Sequence, residues 1–297
     1  MIFPKNFTDT VIRTWPIAGK AWLDQLPELM RFFSSEWRLQ DIMPFENLSF
    51  NFAAKAYSND YKKTVVLKIG IPSAEFIQET KALTFYGGHG CVKLLAHHYQ
   101  KGGMLLEFVE PGTTLRSFFP EKDDQAVAYA CQTMKKLHAR PINTASDFPT
   151  IDTWFSLFDT LEIPQEMKKH VAQAKTFIKE LQVSAHEQHV LHGDLHHDNM
   201  LLDSSGYYLA IDPKGVIGDA AYEVGAFMCN PAELAQQANE AAILARRLNQ
   251  FSTLLNIDRQ RLVKACYARI ILSACWTVQD HGDWRDDVQC AQKILEI

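Results

Sequence analysis

Between residues 189 and 203 the chain reads HVLHGDLHHDNMLLD, four histidines and three aspartates in fifteen positions. The apolar runs on either side are short and strand-like, so the polar residues between them belong to a loop. His192 and His196 stand four apart, the spacing of two zinc ligands on one helix face. A helix there would carry Gly193 in its interior, at a cost of about 1 kcal/mol. Gly193 also occupies the slot in which a zinc protease keeps its glutamate base. The zinc reading is therefore set aside.

Measured from Asp194, the same residues fit another pattern. Asn199 lies five positions on, and Asp212 lies eighteen positions on, at the end of the strand-like run YYLAID. A catalytic loop of the form D-x-x-x-x-N, followed by a strand that delivers a further aspartate, is the arrangement of phosphoryl-transfer enzymes of the kinase type. The chemistry asks for these residue types. A carboxylate must orient and accept the proton of an attacking hydroxyl. An amide oxygen and a second carboxylate suit Mg²⁺, a hard cation that prefers oxygen ligands. The chain supplies its own comparison: a second His-Gly-Asp occurs at 281–283, but Val288 stands five residues after Asp283 and no aspartate-bearing strand follows. Asp280, Asp283, Asp286 and Asp287 read most simply as a solvated acidic segment, with a cation-binding wall as the alternative.

Such a site needs a lysine on an upstream strand and a glutamate on the next helix. Lys68 lies in VVLKIG, and Glu79 follows eleven residues later in FIQETKAL. Around them, residues 1–40 read as helical, with Trp22, Leu23, Leu26, Leu29 and Phe33 at three- and four-residue steps. LSFNFAAKAYS and KKTVVLKIG read as a hairpin turning at Asn59-Asp60. SAEFIQETKALTFYG reads as a helix capped by Ser73. CVKLLAHHYQ and MLLEFVE read as a second hairpin. After Pro111-Gly112 helices dominate. One is capped by Asp123 or Asp124 and carries Val127, Cys131, Met134 and Leu137. Another follows Pro164. Two more span roughly 231–255 and 258–279, the last apolar nearly all round. The expected fold class is α+β and bilobal: a β-rich N-terminal lobe over 1–110, and a mostly helical C-terminal lobe over 111–297. A cleft between lobes is where a nucleotide is expected. No G-x-G-x-x-G precedes Lys68 and no Walker A sequence occurs. The loop over the phosphates would then rely on its backbone and on short polar groups such as Ser49 and Asn51.

The net charge of −5 argues against a nucleic-acid partner and is compatible with a cationic substrate. No uncharged apolar run is long enough to span a membrane, and the N-terminal stretch lacks the charge-then-apolar order of a signal peptide. The six cysteines form no C-x-x-C pair. They are expected as free buried thiols in a reducing cytoplasm. Nothing in the chain calls for more than a monomer.

HGDLHHDNML and LAIDPKGVIGDAAYEVGAF, with VLKIGIPSAEFIQETKAL, LLEFVEPGTTL and the N-terminal AGKAWLDQLPELM upstream, resemble the aminoglycoside and hydroxyurea antibiotic-resistance kinases. The streptomycin 6-phosphotransferase type is the most similar. The likeness runs from about residue 15 to 280. It implies a protein-kinase-like (aminoglycoside phosphotransferase) fold and Mg-dependent transfer of a γ-phosphoryl group from ATP or GTP to a small-molecule hydroxyl. It implies Asp194 as base, Asn199 and Asp212 as metal ligands, and Lys68 with Glu79 as the phosphate anchor. The segment 105–109, with Leu105, Glu107 and Val109, would meet the adenine edge. Lys214, just after the metal aspartate, would offset phosphate charge. Glu223 stands in AYEVG where an aspartate bracing the catalytic loop is expected. His192, His196 and His197 are expected to shape that loop. The substrate wall is expected in segment 143–165, with Trp154 and Phe155, and at Trp276, Gln279 and Asp280. An aminoglycoside of the streptomycin type is the first acceptor to consider. A cellular metabolite or hydroxyurea would use the same machinery, and a catalytically inactive nucleotide-binding module is the remaining reading.

Overall fold

The alternation in FAAKAYS and KTVVLKI sends one residue in two to each face of a pleated strand. In the computed structural model, which describes residues 3–142, 147–184 and 187–297, these are β2 (Phe52–Ser58) and β3 (Lys63–Ile69). They pair antiparallel, with Phe52 opposite Ile69 and Ser58 opposite Lys63. They sit in a five-stranded sheet of order β1-β2-β3-β5-β4, with β1 at Leu39–Pro44, β4 at Leu94–His98 and β5 at Gly103–Glu107. Phe52, Ala54, Ala56, Val65, Leu67 and Ile69 are buried. Helices α1 (Lys5–Thr14) and α2 (Ala18–Glu36) close over them with Phe7, Val11, Trp22, Leu26 and Phe33. Helix α3 (Ala74–Tyr86) follows β3, and the Ser73 hydroxyl accepts from the Phe76 amide at 3.1 Å as its N-cap. These elements belong to one compact unit, Met1–Gly88 with Val92–Val109.

The second unit comprises His89–Cys91 and Glu110–Ile297. It contains α4 (Asp123–His138), the short α5 (Ile151–Phe155) and α6 (Leu157–Thr160), and α7 (Lys168–Val183). Then come α8 (Val224–Met228), α9 (Glu240–Leu255), α10 (Arg259–Gln279) and α11 (Arg285–Glu296). Helix α10 has buried residues on every side and packs against α7, α8, α9 and α11, as a helix apolar all round must. Two small antiparallel ladders complete the unit. One pairs β6 (Gln188–Leu191) with β9 (Val216–Asp219); the other pairs β7 (Met200–Leu202) with β8 (Tyr208–Ala210).

Four expectations are corrected. Asp123 does not cap α4. The cap position is Lys122, without a side-chain bond, because Asp123 is buried and accepts from Arg247 Nε at 2.9 Å and Nη2 at 2.6 Å. Burial pushes the Asp123 carboxyl up, but His197 and Arg247 outweigh it and hold it at about 2. The 231–255 stretch is not one helix; a 3₁₀ turn at Ala232–Gln236 precedes α9. The segment 280–287 is not uniformly solvated. Asp280, Asp283 and Asp286 are exposed, whereas burial raises Asp287 to about 6. Finally, not all cysteines are free. Cys91, Cys131, Cys266 and Cys275 are buried thiols, but Cys229, just past α8, is joined to Cys290 of α11. The partners are 61 residues apart, beyond any local spacing rule.

Removing this crosslink with Cys229→Ser is expected to cost about 2–4 kcal/mol, because the bridge closes a long loop in the unfolded chain. Chemical denaturation of the two proteins without reductant would measure it. Equal midpoints and slopes would show that the bridge does not hold the native state.

Candidate active site

In the first unit the site is made by a strand and a helix. Lys68 sits between Leu67 and Ile69 on β3, opposite Ala53 and Met104. Its side chain therefore leaves the sheet on the face opposite the α1–α2 core. There Nζ donates to Glu79 Oε1 of α3 at 2.6 Å, both side chains being largely buried. The fixed strand-to-helix turn, capped by Ser73, is what brings residues eleven apart into contact. Of the 105–109 segment, Leu105 and Val109 are buried. Glu107 pairs twice with Lys93: its amide donates to the Lys93 carbonyl at 3.0 Å, and its Oε1 accepts from the Lys93 amide at 2.6 Å. The glycine-poor loop 45–51 joins β1 to β2, at the end of the sheet away from the Asn59-Asp60 turn. Ser49 in it is exposed. The Asn51 amide oxygen lies so close to Gly70 that a Cβ there would meet it at 2.4 Å.

In the second unit the loop 192–199 connects β6 to β7, and the segment 211–215 connects β8 to β9. Backbone bonds tie the two connections together. Lys214 N donates to His192 O at 2.8 Å, and Ile211 N to Asn199 O at 3.0 Å. His192 is fully buried. Its Nε2 donates to Ile211 O at 2.8 Å while its Nδ1 accepts from Asp194 N at 3.2 Å. Both ring nitrogens are used, which leaves neither for zinc. Burial lowers its pKa, consistent with the neutral tautomer. Among the described residues, no three His, Cys, Asp or Glu side chains gather as a metal cluster. His196 Nδ1 accepts from Asp198 N at 3.4 Å, and His197 stacks on Phe227 at 4.0 Å, so these histidines shape the loop by bonding and packing.

Asp194, Asn199 and Asp212 are all half-buried in this unit. Asn199 Nδ2 donates to Asp194 O at 2.9 Å, which turns the amide oxygen into the atom available to a cation. Asp212 has φ +60°, a left-handed conformation uncommon for a residue with a Cβ. Such backbone persists where the surroundings impose it, as at functional sites. An oxygen pair of this kind suits Mg²⁺, which takes one or two protein ligands together with substrate phosphates. Lys214 is exposed, two residues from Asp212.

Glu223, in the aspartate's expected place, braces the loop. Its Oε2 accepts from His192 N at 2.7 Å and its Oε1 from Gly193 N at 2.9 Å, with His138 Nε2 at 3.4 Å from Oε2. Burial alone would raise this carboxyl, but His138, His192 and the Gly193 amide together hold it below its ordinary value. The turn that presents Glu223 is set by Asp219, whose Oδ1 accepts from Ala221 N while Oδ2 pairs with Arg261. Trp154 and Trp276 do come together, edge to face at 5.3 Å, and Trp154 lies against Gly193. Phe155 is buried and stacks on Phe158. Gln279 and Asp280 are exposed at the C-terminal end of α10. Of the 143–165 segment, 143–146 lie outside the described residues. Sequence reasoning missed Arg269. Arg269 is the single charge in the stretch 265–279 of α10, which was the signal available.

The model of the aminoglycoside/hydroxyurea antibiotic resistance kinase family matches residues 58–281. A streptomycin 6-kinase of Streptomyces griseus is 25% identical over 284 residues, 93% of this chain and 91% of the relative. A streptomycin 3''-kinase of Klebsiella pneumoniae is 28% identical over 205 residues, 67% of this chain and 75% of the relative. Among solved structures, a thermostable mutant of aminoglycoside phosphotransferase APH(4)-Ia, in ternary complex with ADP and hygromycin B, superposes with a TM-score of 0.64 at 15% identity. It covers 90% of this chain and 96% of its own. The α+β fold is thus that of the aminoglycoside phosphotransferases.

Proposed function

This chain belongs to the aminoglycoside/hydroxyurea antibiotic resistance kinase family, and on that premise we propose that it transfers the γ-phosphoryl group of ATP to a hydroxyl of a streptomycin-type aminoglycoside. The observation that carries the reading is the closed loop 192–199. Its backbone is held by Glu223, and its Asn199 is bonded to Asp194 O. Such pre-organisation is what phosphoryl transfer needs, since positioning and electrostatics supply most of its catalysis. The streptomycin kinases among its relatives support the acceptor. The ADP complex of the structural relative supports the nucleotide.

In this mechanism Asp194 accepts a hydrogen bond from the acceptor hydroxyl, aims its oxygen at the γ-phosphorus and takes up its proton. Lys68, kept in place by Glu79, holds the phosphates. Lys214 adds positive charge as negative charge builds up on the transferred group. Asn199 and Asp212 are the residues that would hold Mg²⁺, which when bound neutralises phosphate oxygens. Ser49, Asn51 and the backbone of 45–51 cover the phosphates, and the backbone of the 105–109 segment, with Leu105, Glu107 and Val109, pairs with the edge of the base. Trp154, Trp276, Gln279 and Asp280 wall the acceptor, the exposed Asp280 matching its cationic groups. No described helix is long and apolar enough to cross a membrane.

Incubation of the protein with magnesium, ATP and separately streptomycin, hygromycin B, hydroxyurea or choline, read by ADP release and by product mass, tests the reading. Streptomycin-dependent ADP release with one phosphoryl group added to the antibiotic is expected. Turnover of hydroxyurea or choline alone would keep the chemistry and replace the acceptor. Asp212→Ala is expected to weaken nucleotide binding in the presence of magnesium and to leave magnesium-free binding unchanged. Calorimetry in both conditions decides it; equal loss in the two would remove Asp212 from the metal site.

A further inference from the structure

Arg269 lies in the middle of the largely buried helix α10 and is only 4% exposed. Placing a guanidinium there is costly unless its surroundings compensate. The carboxylates that act on it, Asp194, Glu223 and Asp287, do so through space rather than by hydrogen bonds, and burial pulls its pKa below the ordinary arginine value. Among the described residues its one directed hydrogen bond is to the 192–199 loop: Nη2 donates to Gly193 O at 2.7 Å. Its planar group also lies 4.7 Å from the ring of Trp276 and 5.8 Å from that of Trp154, within the range of a cation–π contact.

Gly193 is thus held from three directions. Glu223 takes its amide, Arg269 takes its carbonyl, and Trp154 occupies the place where a Cβ would be, at 2.5 Å. Its φ of +84° also requires glycine. Gly225 of α8 allows the approach of α10 from which Arg269 reaches the loop, since a Cβ there would lie 2.6 Å from the Arg269 Cβ. Behind Arg269 stands Asp287 of α11, whose carboxyl acts on the guanidinium through space. The peptide between Gly193 and Asp194 therefore has its carbonyl fixed by α10 and its preceding amide fixed by Glu223.

We propose that Arg269 is a positioning residue for phosphoryl transfer: by gripping the Gly193 carbonyl while seated against Trp276 and Trp154, it aligns Asp194 with the aromatic wall that receives the acceptor. This rests on Asp194 being the carboxylate that faces the acceptor hydroxyl. The arrangement couples the two sides of the acceptor site, because one guanidinium touches both the loop that carries the base and the indoles that would line the wall.

The test uses the full chain with Arg269→Met, Arg269→Lys and, as a helix control, Lys264→Met, whose ammonium pairs with Glu180 on the surface. Two readouts are taken: steady-state kinetics with streptomycin and ATP, and hydrogen exchange of the 192–199 amides against those of β6. Arg269→Met is expected to lower kcat by about 100-fold, the scale of a small misplacement of a reacting group, with KM for ATP changed less than about twofold. Its Gly193 and Asp194 amides should exchange about tenfold faster while β6 stays protected. Arg269→Lys keeps the charge but loses the planar fork, and should recover part of both. Lys264→Met should match the parent. Parent kcat in Arg269→Met, or a fall in kcat with loop exchange unchanged, overturns the proposal. If Arg269→Met does not fold, Arg269→Lys carries the same two readouts. If the unmodified protein does not phosphorylate streptomycin, the acceptor reading fails, and the exchange measurement alone decides the role of Arg269.

Discussion

Asp194→Ala is expected to lower turnover by about 10²–10⁴-fold, the usual contribution of a positioned acid–base group, while nucleotide affinity stays near that of the parent. The separation follows from the loop's construction. Asn199 bonds the backbone carbonyl of residue 194, not its side chain, and His192 accepts from the backbone amide of 194. Truncating the carboxylate leaves both bonds in place, so Asn199 and the backbone connection to the Asp212 segment are undisturbed. Steady-state turnover gives the first quantity. The rise in melting temperature with magnesium and a nonhydrolysable nucleotide gives the second, since a ligand that binds only the native state raises its stability. A variant turning over at the parent rate would show that another group handles the proton.

The second large effect is expected at Glu223. Its two oxygens accept from consecutive amides, His192 and Gly193, at 2.7 and 2.9 Å in a buried setting. Hydrogen bonds to an ionised group contribute about 1.5–3 kcal/mol each, so Glu223→Ala should cost roughly 3–6 kcal/mol and leave two amides without partners. Turnover should fall as well, by about 100-fold, because the residue before the base loses its anchor. Glu223→Asp should not restore the parent. The expected aspartate is one methylene shorter, and both existing contacts are already at ordinary hydrogen-bond length, so the backbone would have to move to keep them. Denaturation and kinetics on Ala, Gln and Asp variants check this. Parent-like stability in Glu223→Ala would mean that the His192 and Gly193 amides do not depend on this carboxylate.

What could be read from the chain follows from how local each feature is. The spacing of Asp194, Asn199 and Asp212 lies within a single strand–loop–strand passage, and Lys68 with Glu79 within one strand and one helix. Lys68 bonds Glu79, Asn199 bonds the Asp194 carbonyl, and Ile211, next to Asp212, bonds the Asn199 carbonyl. The N-cap Ser73 and the Asn59-Asp60 turn rest on short-range chemistry and were equally visible. Strand β1 was not, because its burial pattern has a single buried residue, Leu39, and its register shifts between Gln40 and Met43. Alternation, the usual sign of a strand, is absent there. Asp123 looked like a helix cap because acidic residues favour that position, but its partner, Arg247, is 124 residues away. The Cys229–Cys290 bridge and the contact of Arg269 with Gly193 likewise join positions distant in sequence. Side-chain length hid the last case: only the distances show that a glutamate at 223 reaches what an aspartate was expected to reach.

The pairing of β6 with β9 and of β7 with β8 has a further consequence. The chain from 188 to 219 is a hairpin folded inside a hairpin, with the two connecting segments bonded to each other at 192, 199, 211 and 214. A change of length at the exposed tip, 204–206, can be absorbed in solvent without shifting anything below it. A single residue gained or lost in either connecting segment would instead slide one aspartate past the other and turn neighbouring side chains to the wrong face. Variation in this part of the molecule is therefore tolerated at its tip and forbidden at its waist, and the waist carries Asp194, Asn199 and Asp212.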